Sequence, residues 1–364
     1  MKNPLRKRFF RELREEIGKY LVVFILMAAT IGFVSGFLVA DGSMLTAYNN
    51  SFQKYNIEDG KFETEEKIYK NQQEDIEKKG VTLYENFYVE KVLLNRTTLR
   101  IFKNRTKVDK VCLMKGKLPE KTGEIAIDRM YADNNKLSVG DSLQSGKRKW
   151  KITGLVALSD YSALFQNNND TMFDAVKFGA AVVTEEEFSS FNQSQFVYNY
   201  AWTYTHKPKT EAQEKKKSEN FMEELSKDVT LEEFVPQYLN QAIHFTGDDM
   251  GGDRAMIIVL LYIVIAIMAF VFGITTSNTI RKEAGVIGTL RASGYTKNEL
   301  IRHYMFMPLL VTFIGAIVGN LLGYTVFKNV CADMYYGSYS LPTYVTLWNA
   351  EAFLLTTVIP VFIM

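Results

Sequence analysis

The stretch that decides the fold is AMIIVLLYIVIAIMAFVFGI, residues 255–274, followed by RKEAGVIGTLRASGYTKNEL, residues 281–300, and MPLLVTFIGAIVGNLLGYTVF, residues 307–327. The two outer segments are apolar and about 20 residues long, roughly 30 Å as a helix, which matches the hydrocarbon thickness of a membrane. A connector between two spans needs only a few polar residues. The middle segment instead carries four basic residues and three glycines. It therefore has to be explained as more than a connector.

Two more apolar runs occur, at residues 20–40 and 352–364, and the second is still apolar where the sequence ends. The chain as a whole is 47% hydrophobic and 23% charged, with a net charge of +2. This average composition hides the concentration of the apolar residues in a few long runs. We expect an α-helical membrane protein. Its transmembrane helices are predicted at 20–40, 255–277, 296–327 (with a cytoplasmic start) and 348–364, the fourth being truncated.

The distribution of lysine and arginine predicts the orientation of these spans. Basic residues are concentrated before the first span and between the second and third, but they are sparse between the third and fourth. The N-terminus and the connector are therefore predicted to be cytoplasmic, with residues 41–253 and the loop at 328–347 on the opposite side. Residues 1–19 are predicted to form an amphipathic helix on the inner leaflet, because apolar residues recur on one helical face from Leu5 to Ile17. A plain basic flank is the alternative.

The segment at 41–253, about 210 residues, is large enough for one or two compact lobes. Alternating β-branched and aromatic residues predict strands within 81–94, 97–103 and 147–158. Helical patterns follow at 184–191 and 209–234. We expect an α+β extracytoplasmic domain, with a small β-barrel-like lobe, inserted between transmembrane helices 1 and 2.

No motif for catalysis or metal binding stands out. The two cysteines, Cys112 and Cys331, form no CxxC pair, and the three histidines have no HExxH context. The stretch GDSLQSGKR, residues 140–148, resembles a phosphate-binding loop only loosely, because its glycine spacing is too long and the Ser or Thr that reaches magnesium is missing. We interpret it as a hairpin turn. The chain is not expected to be an enzyme or to bind a cofactor, a metal or nucleic acid.

Small residues recur every four positions in three of the spans, a spacing that lets another helix approach closely. They are Gly315, Gly319 and Gly323 in the third span, Ala269, Gly273 and Ser277 in the second, and Gly32 and Gly36 in the first. These faces predict a tightly packed bundle or a dimer. Asn320 is predicted to form an interhelical hydrogen bond, with a substrate or ion contact as the alternative. The lack of charged residues within the spans disfavours a proton-coupled carrier.

The connector has the pattern of one short helix followed by the start of another. Apolar residues from Ala284 onward have helical spacing, and Arg291 in the last turn with Gly294 just beyond it suits a helix end. Thr296 and Glu299 have the spacing of a capping box, which predicts that the helix of the third span begins there. The segment is therefore a short helix lying across the cytoplasmic face, then a tight turn, then a new helix.

Two glycines inside this short helix indicate what it does. Gly285 and Gly288 each cost about 1 kcal/mol relative to alanine, and a short helix holds together poorly by itself. Close approach of another backbone would explain them. We therefore favour docking onto a cytoplasmic protein over the alternative of a helix that rests on lipid headgroups.

The connector also resembles a known family. The run RKEAGVIGTLRASGY, residues 281–295, is similar to the signature that follows the second span in FtsX/MacB-type ABC transporter permeases. A second run, GKLPEKTGEIAIDRMYADNNKLSVGDSL, residues 116–143, resembles a segment of that family's extracytoplasmic domain, and ITGLVA after it resembles the strand that follows there. The order of span, large outside domain and further spans also agrees, so the resemblance covers nearly the whole chain.

This resemblance implies a MacB-like periplasmic core-type domain and a permease in the bacterial cytoplasmic membrane. ATP and magnesium are then expected on a partner, a separate ABC ATPase dimer. The coupling helix of such a permease corresponds to residues 278–295 here. The residues implied to contact the ATPase are Arg281, Glu283, Gly285, Ile287, Leu290, Arg291 and Gly294. Further partners implied are a second permease half or a homodimer partner, membrane lipid and a possible extracytoplasmic protein.

The function implied is mechanotransmission, in which ATP hydrolysis by the partner moves the outside domain. The work done would be the export or clearance of amphipathic peptides, antibiotics or lipoproteins. The alternative is a non-transporting regulator of the FtsX type, whose outside domain activates a cell-wall hydrolase. The larger outside domain and the glycine faces of the spans favour transport.

Overall fold

The structure, a computed structural model, describes residue 14 and residues 17–363. It divides into two compact units. The first contains the described parts of Met1–Ser43, Met250–Met334 and Val345–Met364, and the second contains Met44–Asp249 and Tyr335–Tyr344.

The helices and strands occur in the following order along the chain. They are α1 (Ile17–Lys54), β1 (Gly60–Thr64), α2 (Lys70–Glu77), β2 (Val81–Glu85), β3 (Tyr88–Val92), β4 (Thr98–Lys103), β5 (Cys112–Gly116), β6 (Glu124–Asp128), α3 (Arg129–Asn134), β7 (Ser142–Ser145), β8 (Arg148–Ala157), β9 (Phe178–Val183), α4 (Glu185–Ser189), β10 (Tyr198–Tyr204), α5 (Glu211–Leu225), β11 (Leu231–Pro236), α6 (Gln241–Lys282), α7 (Ala284–Ala292), α8 (Lys297–Leu322), α9 (Lys328–Ser338), α10 (Ala350–Phe353) and α11 (Ile359–Ile363). One π-helical turn, Gly323–Phe327, joins α8 to α9, and another, Leu354–Val358, joins α10 to α11.

Three of the described helices are long and apolar enough to cross a membrane: Ile17–Lys54, Gln241–Lys282 and Lys297–Ser338. A fourth apolar helix, Ala350–Ile363, is shorter. Together with the α+β unit between the first two spans, these helices confirm the predicted fold class.

The helices extend beyond the predicted spans. The first continues past residue 40 to Lys54, and the second begins at Gln241, before the predicted end of the domain at 253. The loop predicted at 328–347 is wrong over its first half, because the helix continues through Ser338. An apolar run marks only the part of a helix that lipid covers, so the polar continuations were missed. The amphipathic helix predicted at 1–19 lies almost entirely outside the described residues.

The α+β unit contains two separate sheets. One has four antiparallel strands in the order β11-β1-β10-β2. The other is mixed and has seven strands in the order β3-β4-β9-β6-β8-β5, with β7 paired to β8. Its parallel pairs are β4 with β9 and β6 with β8. Both orders are open among the described residues, so the β-barrel-like lobe that the sequence suggested is not present.

Most of the predicted strands are confirmed. Residues 81–94 form β2 and β3, residues 97–103 contain β4, and residues 147–158 contain β8. The helix predicted at 209–234 is wrong after Leu225, because residues from Leu231 onward form β11. This strand pairs with β1, a contact distant in sequence that a local helical pattern does not reveal.

Aromatic side chains explain why β11 leaves the helical pattern. Phe234 stacks on Trp202 at a ring distance of 4.8 Å, and Phe221 of α5 packs edge-on against Trp202 at 5.2 Å. Trp202 is fully buried. Phe62 of β1, which lies opposite Phe234 of β11, is also fully buried. The gain from burying such rings exceeds the small preference for helix of the segment itself.

Candidate functional site

The second span and the short helix after it are separated at one residue. Helix α6 ends at Lys282, and Glu283 departs from helical geometry with φ −98° and ψ 12° before α7 begins at Ala284. The carboxylate of Glu283 accepts a hydrogen bond of 2.5 Å from the hydroxyl of Tyr304 on α8. The break between α6 and α7 is thus tied to the helix of the third span.

The other end of α7 is closed as the sequence predicts. Arg291 lies in the last turn and donates to the carbonyl oxygen of Tyr295 at 3.1 Å. Gly294 has φ +94°, a left-handed conformation that favours glycine. The capping box is confirmed, because the Thr296 hydroxyl accepts from the Glu299 amide while the Glu299 carboxylate accepts from the Thr296 amide at 2.8 Å. The short helix, turn and new start are therefore built from local interactions.

Helix α7 leaves its apolar side chains incompletely covered. None of its residues is buried, Val286 is 43% exposed, and Ile287 and Leu290 are only partly covered. A Cβ added at Gly285 or at Gly288 would meet nothing within 4 Å. Within the described chain no backbone makes the close approach that these glycines suggested, so that approach remains a prediction about another molecule.

Of the residues predicted to couple to an ATPase, the structure brings seven into one continuous segment. They are Arg281 at the end of α6, Glu283 at the break, Gly285, Ile287, Leu290 and Arg291 on α7, and Gly294 at the turn. Tyr304, whose hydroxyl donates to Glu283, is a further residue of this site. No sequence signal identifies it, because the two residues lie on different helices.

The predicted glycine face of the third span packs against α1. A Cβ added at Gly319 would lie 2.8 Å from Cγ2 of Ile31, and one added at Gly323 would lie 2.9 Å from Cβ of Ser35. Gly315 also faces this helix. A side chain at Gly319 or Gly323 would therefore clash with α1, and one at Gly315 would be tightly packed against it, as small residues at a helix contact are expected to be.

The small residues of α1, Gly32 and Gly36, also make close contacts, in their case with Phe327. A Cβ added at Gly32 would lie 3.0 Å from the ring of Phe327, and one added at Gly36 would lie 2.5 Å from its Cβ. A small apolar core completes the contact of the three long helices, and its buried members are Met27, Ile31, Met268 and Ala316.

The small-residue face of the second span is not packed within the described chain. Gly273 is exposed, with nothing within 4 Å of an added Cβ, and Ala269 is only partly covered. Together with Ser277 they line an open groove of about 490 Å³ that ends at Asn278 and Arg281. No other described helix covers this face, so of the predicted bundle or dimer only contact with another molecule is left for it.

Asn320 connects three helices. Its Oδ1 accepts hydrogen bonds from Ser35 of α1 at 2.8 Å and from Thr356 at 3.0 Å, and its Nδ2 donates to Thr357 at 2.9 Å. Ser35 and Thr356 are fully buried. The predicted interhelical hydrogen bond is confirmed, and with these bonds and that of Nδ2 to the Ala316 carbonyl the amide is satisfied.

Polar contacts also connect α1, α6 and α10. Arg254 donates to the buried carboxylate of Asp41 at 3.3 Å and also pairs with Glu351. Asn349 caps α10 and donates to the carbonyl oxygen of Leu38 at 3.0 Å. The sequence analysis did not anticipate these contacts, because each joins residues far apart in the chain.

Residues 335–344, here called the strap, belong to the α+β unit although they follow the third span in sequence. Arg129 at the start of α3 donates to the carbonyl oxygens of Tyr336 and Tyr339, both at 2.8 Å. The Arg129 guanidinium also lies over the Tyr336 ring at 5.0 Å. One partly buried arginine therefore holds two points of the strap.

A second set of contacts fixes the end of the strap. Ser340 donates its amide to the carbonyl oxygen of Ser162 at 2.8 Å, and its hydroxyl donates to Asp128. The same Asp128 carboxylate caps α3 by accepting from the Met130 amide at 2.8 Å. Burial raises the pKa of Asp128 to about 6. The strap is thus bonded to the sheet end that carries α3.

The stretch with a loose likeness to a phosphate-binding loop is a hairpin, as predicted. Strands β7 and β8 pair with Ser145 opposite Arg148, and Gly146 in the turn has φ +57°. In the part of the chain that the structure describes, no group of three or more His, Cys, Asp or Glu side chains is placed to hold a metal ion. Cys112 and Cys331 are both buried free thiols.

Comparison with known proteins gives one family match, over the C-terminal part of the chain. Residues 258–364 match the model described as FtsX-like permease C-terminal. This range contains α6 from residue 258 onward, α7 and the helices after it, and the match confirms the resemblance drawn from residues 281–295. No curated protein sequence matches the chain.

Two solved structures resemble the α+β unit distantly. One is the periplasmic region of MacB from Actinobacillus actinomycetemcomitans, with 11% identity, a TM-score of 0.29, and coverage of 46% of this chain and 83% of that one. The other is the extracellular domain of the noncanonic ABC-type transporter YknZ from Gram-positive bacteria, with 9% identity, a TM-score of 0.29, and coverage of 48% and 98%. Similarities of this size do not define a fold, and the architecture given above rests on the two sheets themselves.

Proposed function

We propose that this chain, whose residues 258–364 match the FtsX-like permease C-terminal model, is the permease subunit of an ABC transporter whose ATPase docks on α7. In this proposal the N-terminus and α7 are cytoplasmic and the α+β unit is extracytoplasmic, in the cytoplasmic membrane of a bacterium. The excess of basic residues before α1 and around α7 supports this orientation.

The observation that carries the proposal is the open surface of α7. A helix of nine residues with no buried side chain is too short to be stable by itself, yet both of its ends are fixed by hydrogen bonds. Its two glycines leave room for another backbone. Such a helix is suited to insert into a groove of a partner protein and to transmit a displacement through its fixed ends.

Transmission to the α+β unit would follow the two helices that flank it. Helices α1 and α6 contain no break between their membrane-crossing parts and the residues that enter and leave the sheets. Helix α6 also ends at the Glu283 break, next to the docking helix. Closing of an ATPase dimer on ATP and magnesium would therefore displace α7, then α6, then the domain.

The proposed work is the export or clearance of amphipathic molecules such as peptides, antibiotics or lipoproteins. The uncovered groove along Ala269, Gly273 and Ser277 supports an assembly with a second permease half or a second copy of the chain. ATP would be hydrolysed by the partner, and the permease would convert each cycle into movement of its outer domain.

The proposal is tested by reconstituting the full chain in lipid nanodiscs with a candidate ATPase encoded next to it. We expect a stable complex, and we expect hydrogen exchange within residues 44–249 to change when ATP is added with magnesium. An ATPase mutant that binds but does not hydrolyse ATP is the control for repeated cycling. A complex in which ATP leaves the exchange of this unit unchanged would contradict mechanotransmission.

A further inference from the structure

The base of the α+β unit, where α1 enters it and α6 leaves it, is a compact hydrogen-bonded joint. We call the joint residues 55–59, 109–110 and 237–240. Asp109 and Lys110 donate their amides to the carbonyl oxygens of Asn56 and Tyr55, at 3.0 and 2.9 Å. Gln237 donates its side-chain amide to the carbonyl oxygen of Glu58 at 2.5 Å. The end of α1 and the start of α6 are thus joined through the same few residues.

Two buried carboxyl groups lie at the centre of this joint. Glu58 is 2% exposed and Asp109 is fully buried. The Glu58 amide donates to Asp109 Oδ1 at 2.9 Å, so the two residues are in direct contact. Burial away from water disfavours the charged form of a carboxyl group, so two neighbouring buried carboxyl groups are expected to hold one proton between them.

The surrounding charges do not neutralise the pair. Asp160 lies nearby and is fully engaged by Arg105, at 2.5 and 2.8 Å. Lys61 is the other cation that faces Glu58. Three carboxyl groups therefore face two cations in a buried cluster, which leaves one negative charge in excess. The remaining charged neighbours of Lys61 are Glu233 on β11 and Arg100, which is itself paired with Glu90 at 2.7 Å.

Uncharged groups complete the surroundings. Asn86 donates to Asp109 Oδ2 at 3.1 Å, and Asn240 donates to Glu58 Oε1 at 3.4 Å. Asn86 and Arg105 also line an open cavity of about 380 Å³, so solvent approaches the cluster from one side. A proton can therefore reach the joint without unfolding of the domain.

We propose that the joint is a proton-operated lock, in which Glu58 and Asp109 share one proton when the joint is closed and loss of that proton loosens the connection between the domain and its two helices. The lock follows from the packing of the domain alone. One point depends on the proposed function: the statement that the pH acting on the joint is that of the extracytoplasmic side.

The direction of the effect follows from burial. Burial, and then the Asp160 carboxylate, raise the pKa of Asp109 from its ordinary 3.8 to about 7, and burial raises that of Glu58 as well. A carboxyl group whose pKa is raised in the closed state stabilises that state fully below its ordinary pKa. This stabilisation is lost as the pH rises through the raised value. The closed joint is therefore expected to weaken between about pH 4 and pH 7 and to change little above that.

Hydrogen exchange of the full chain in nanodiscs tests the lock at residue level. The amides of Glu58, Asp109 and Lys110 report closure, because each donates across the joint. After correction for intrinsic exchange, we expect their protection to fall about tenfold for each pH unit between pH 5 and 7, as loss of one proton requires. The amides of β9 report global stability and are expected to change less.

Neutral substitutions separate the lock from a general effect of pH. Asp109→Asn and Glu58→Gln keep the shape of each side chain, and either is expected to abolish the pH dependence. Asn86 Oδ1, which has no hydrogen-bond partner among the described residues, can accept from the new amide of Asp109→Asn after a flip. Glu219→Gln, at an exposed position on α5, is the matched control and is expected to retain the pH dependence.

Two results would overturn the proposal. One is protection at the joint that does not depend on pH in the unsubstituted chain, or that falls only in parallel with β9. The other is an Asp109→Asn or Glu58→Gln chain that keeps the original dependence. None of these measurements involves the ATPase, so failure of the lock and failure of the proposed function are distinguishable.

Discussion

The hydroxyl of Tyr304 donates a 2.5 Å hydrogen bond to the carboxylate of Glu283, the residue at which the second span ends and the short helix begins. The bond connects the break to the third span. The angle between α6 and α7 is therefore determined by a contact as well as by backbone geometry, and a displacement of α7 would reach both spans together.

Tyr304→Phe is expected to remove this connection while keeping the ring. A hydrogen bond to a charged group contributes about 1.5–3 kcal/mol, so we expect the affinity for the ATPase to fall roughly tenfold or more. Titration of the nanodisc-embedded chain with labelled ATPase measures this. Tyr262→Phe removes the same atom from an exposed tyrosine on α6 and is expected to leave the affinity unchanged.

The glycine contact between α1 and α8 predicts a difference between two similar substitutions. Gly319→Leu places side-chain atoms where Ile31 already lies, and overpacking of this kind costs about 1–3 kcal/mol. Gly251→Leu on α6, where nothing lies within 4 Å of an added Cβ, is expected not to lower stability. Thermal unfolding of the purified protein compares them. Equal loss of stability in both would contradict the packing described for the third span.

The glycines of α7 predict opposite effects on the free chain and on the complex. Gly285→Ala and Gly288→Ala are expected to stabilise the short helix by up to about 1 kcal/mol, because nothing in the chain lies near the added methyl group. Binding of the ATPase is expected to weaken, because the methyl group prevents close approach. Hydrogen exchange of α7 and an affinity measurement give the two values, and unchanged affinity would exclude close backbone contact at these positions.

The strap predicts a local loss of protection. Arg129→Ala removes the donor to the carbonyl oxygens of Tyr336 and Tyr339, so we expect faster exchange within residues 335–344 and little change in the strands. Lys149→Ala, at an exposed position on β8, is the control. An unchanged strap in Arg129→Ala would show that Ser340 and its partners hold the segment without the arginine.

Local features of the sequence predicted the parts of the fold that depend on local interactions. The apolar runs identified the spans, and the capping box of Thr296 and Glu299 is present because both of its residues lie within one turn. The glycine faces of the first and third spans predicted close helix packing without showing which helices pair, and the structure places these two faces against each other.

Contacts between residues far apart in sequence could not be predicted from these local features. β11 was mistaken for helix, because only Phe62 and Trp202 make a strand favourable there. The bond of Tyr304 to Glu283 and the pair of Glu58 and Asp109 join residues from separate elements, and neither pair has a sequence spacing that signals it. The small residues of the second span have the spacing of a packing face but lack a partner helix in the described chain. Such a spacing predicts that a helix packs there, but it does not show which molecule supplies that helix.

The most direct test of the account is copurification of the ATPase with the Leu290→Asp chain. Leu290 is a partly covered apolar residue of α7, and a charge there is expected to abolish the complex, as is Glu283→Lys at the break. Leu239→Asp makes the same change at a leucine that is 53% exposed in the α+β unit and is expected to bind normally. Loss of the complex only with the α7 substitutions is the result predicted, and an intact complex that still couples ATP hydrolysis in both would contradict docking at this helix.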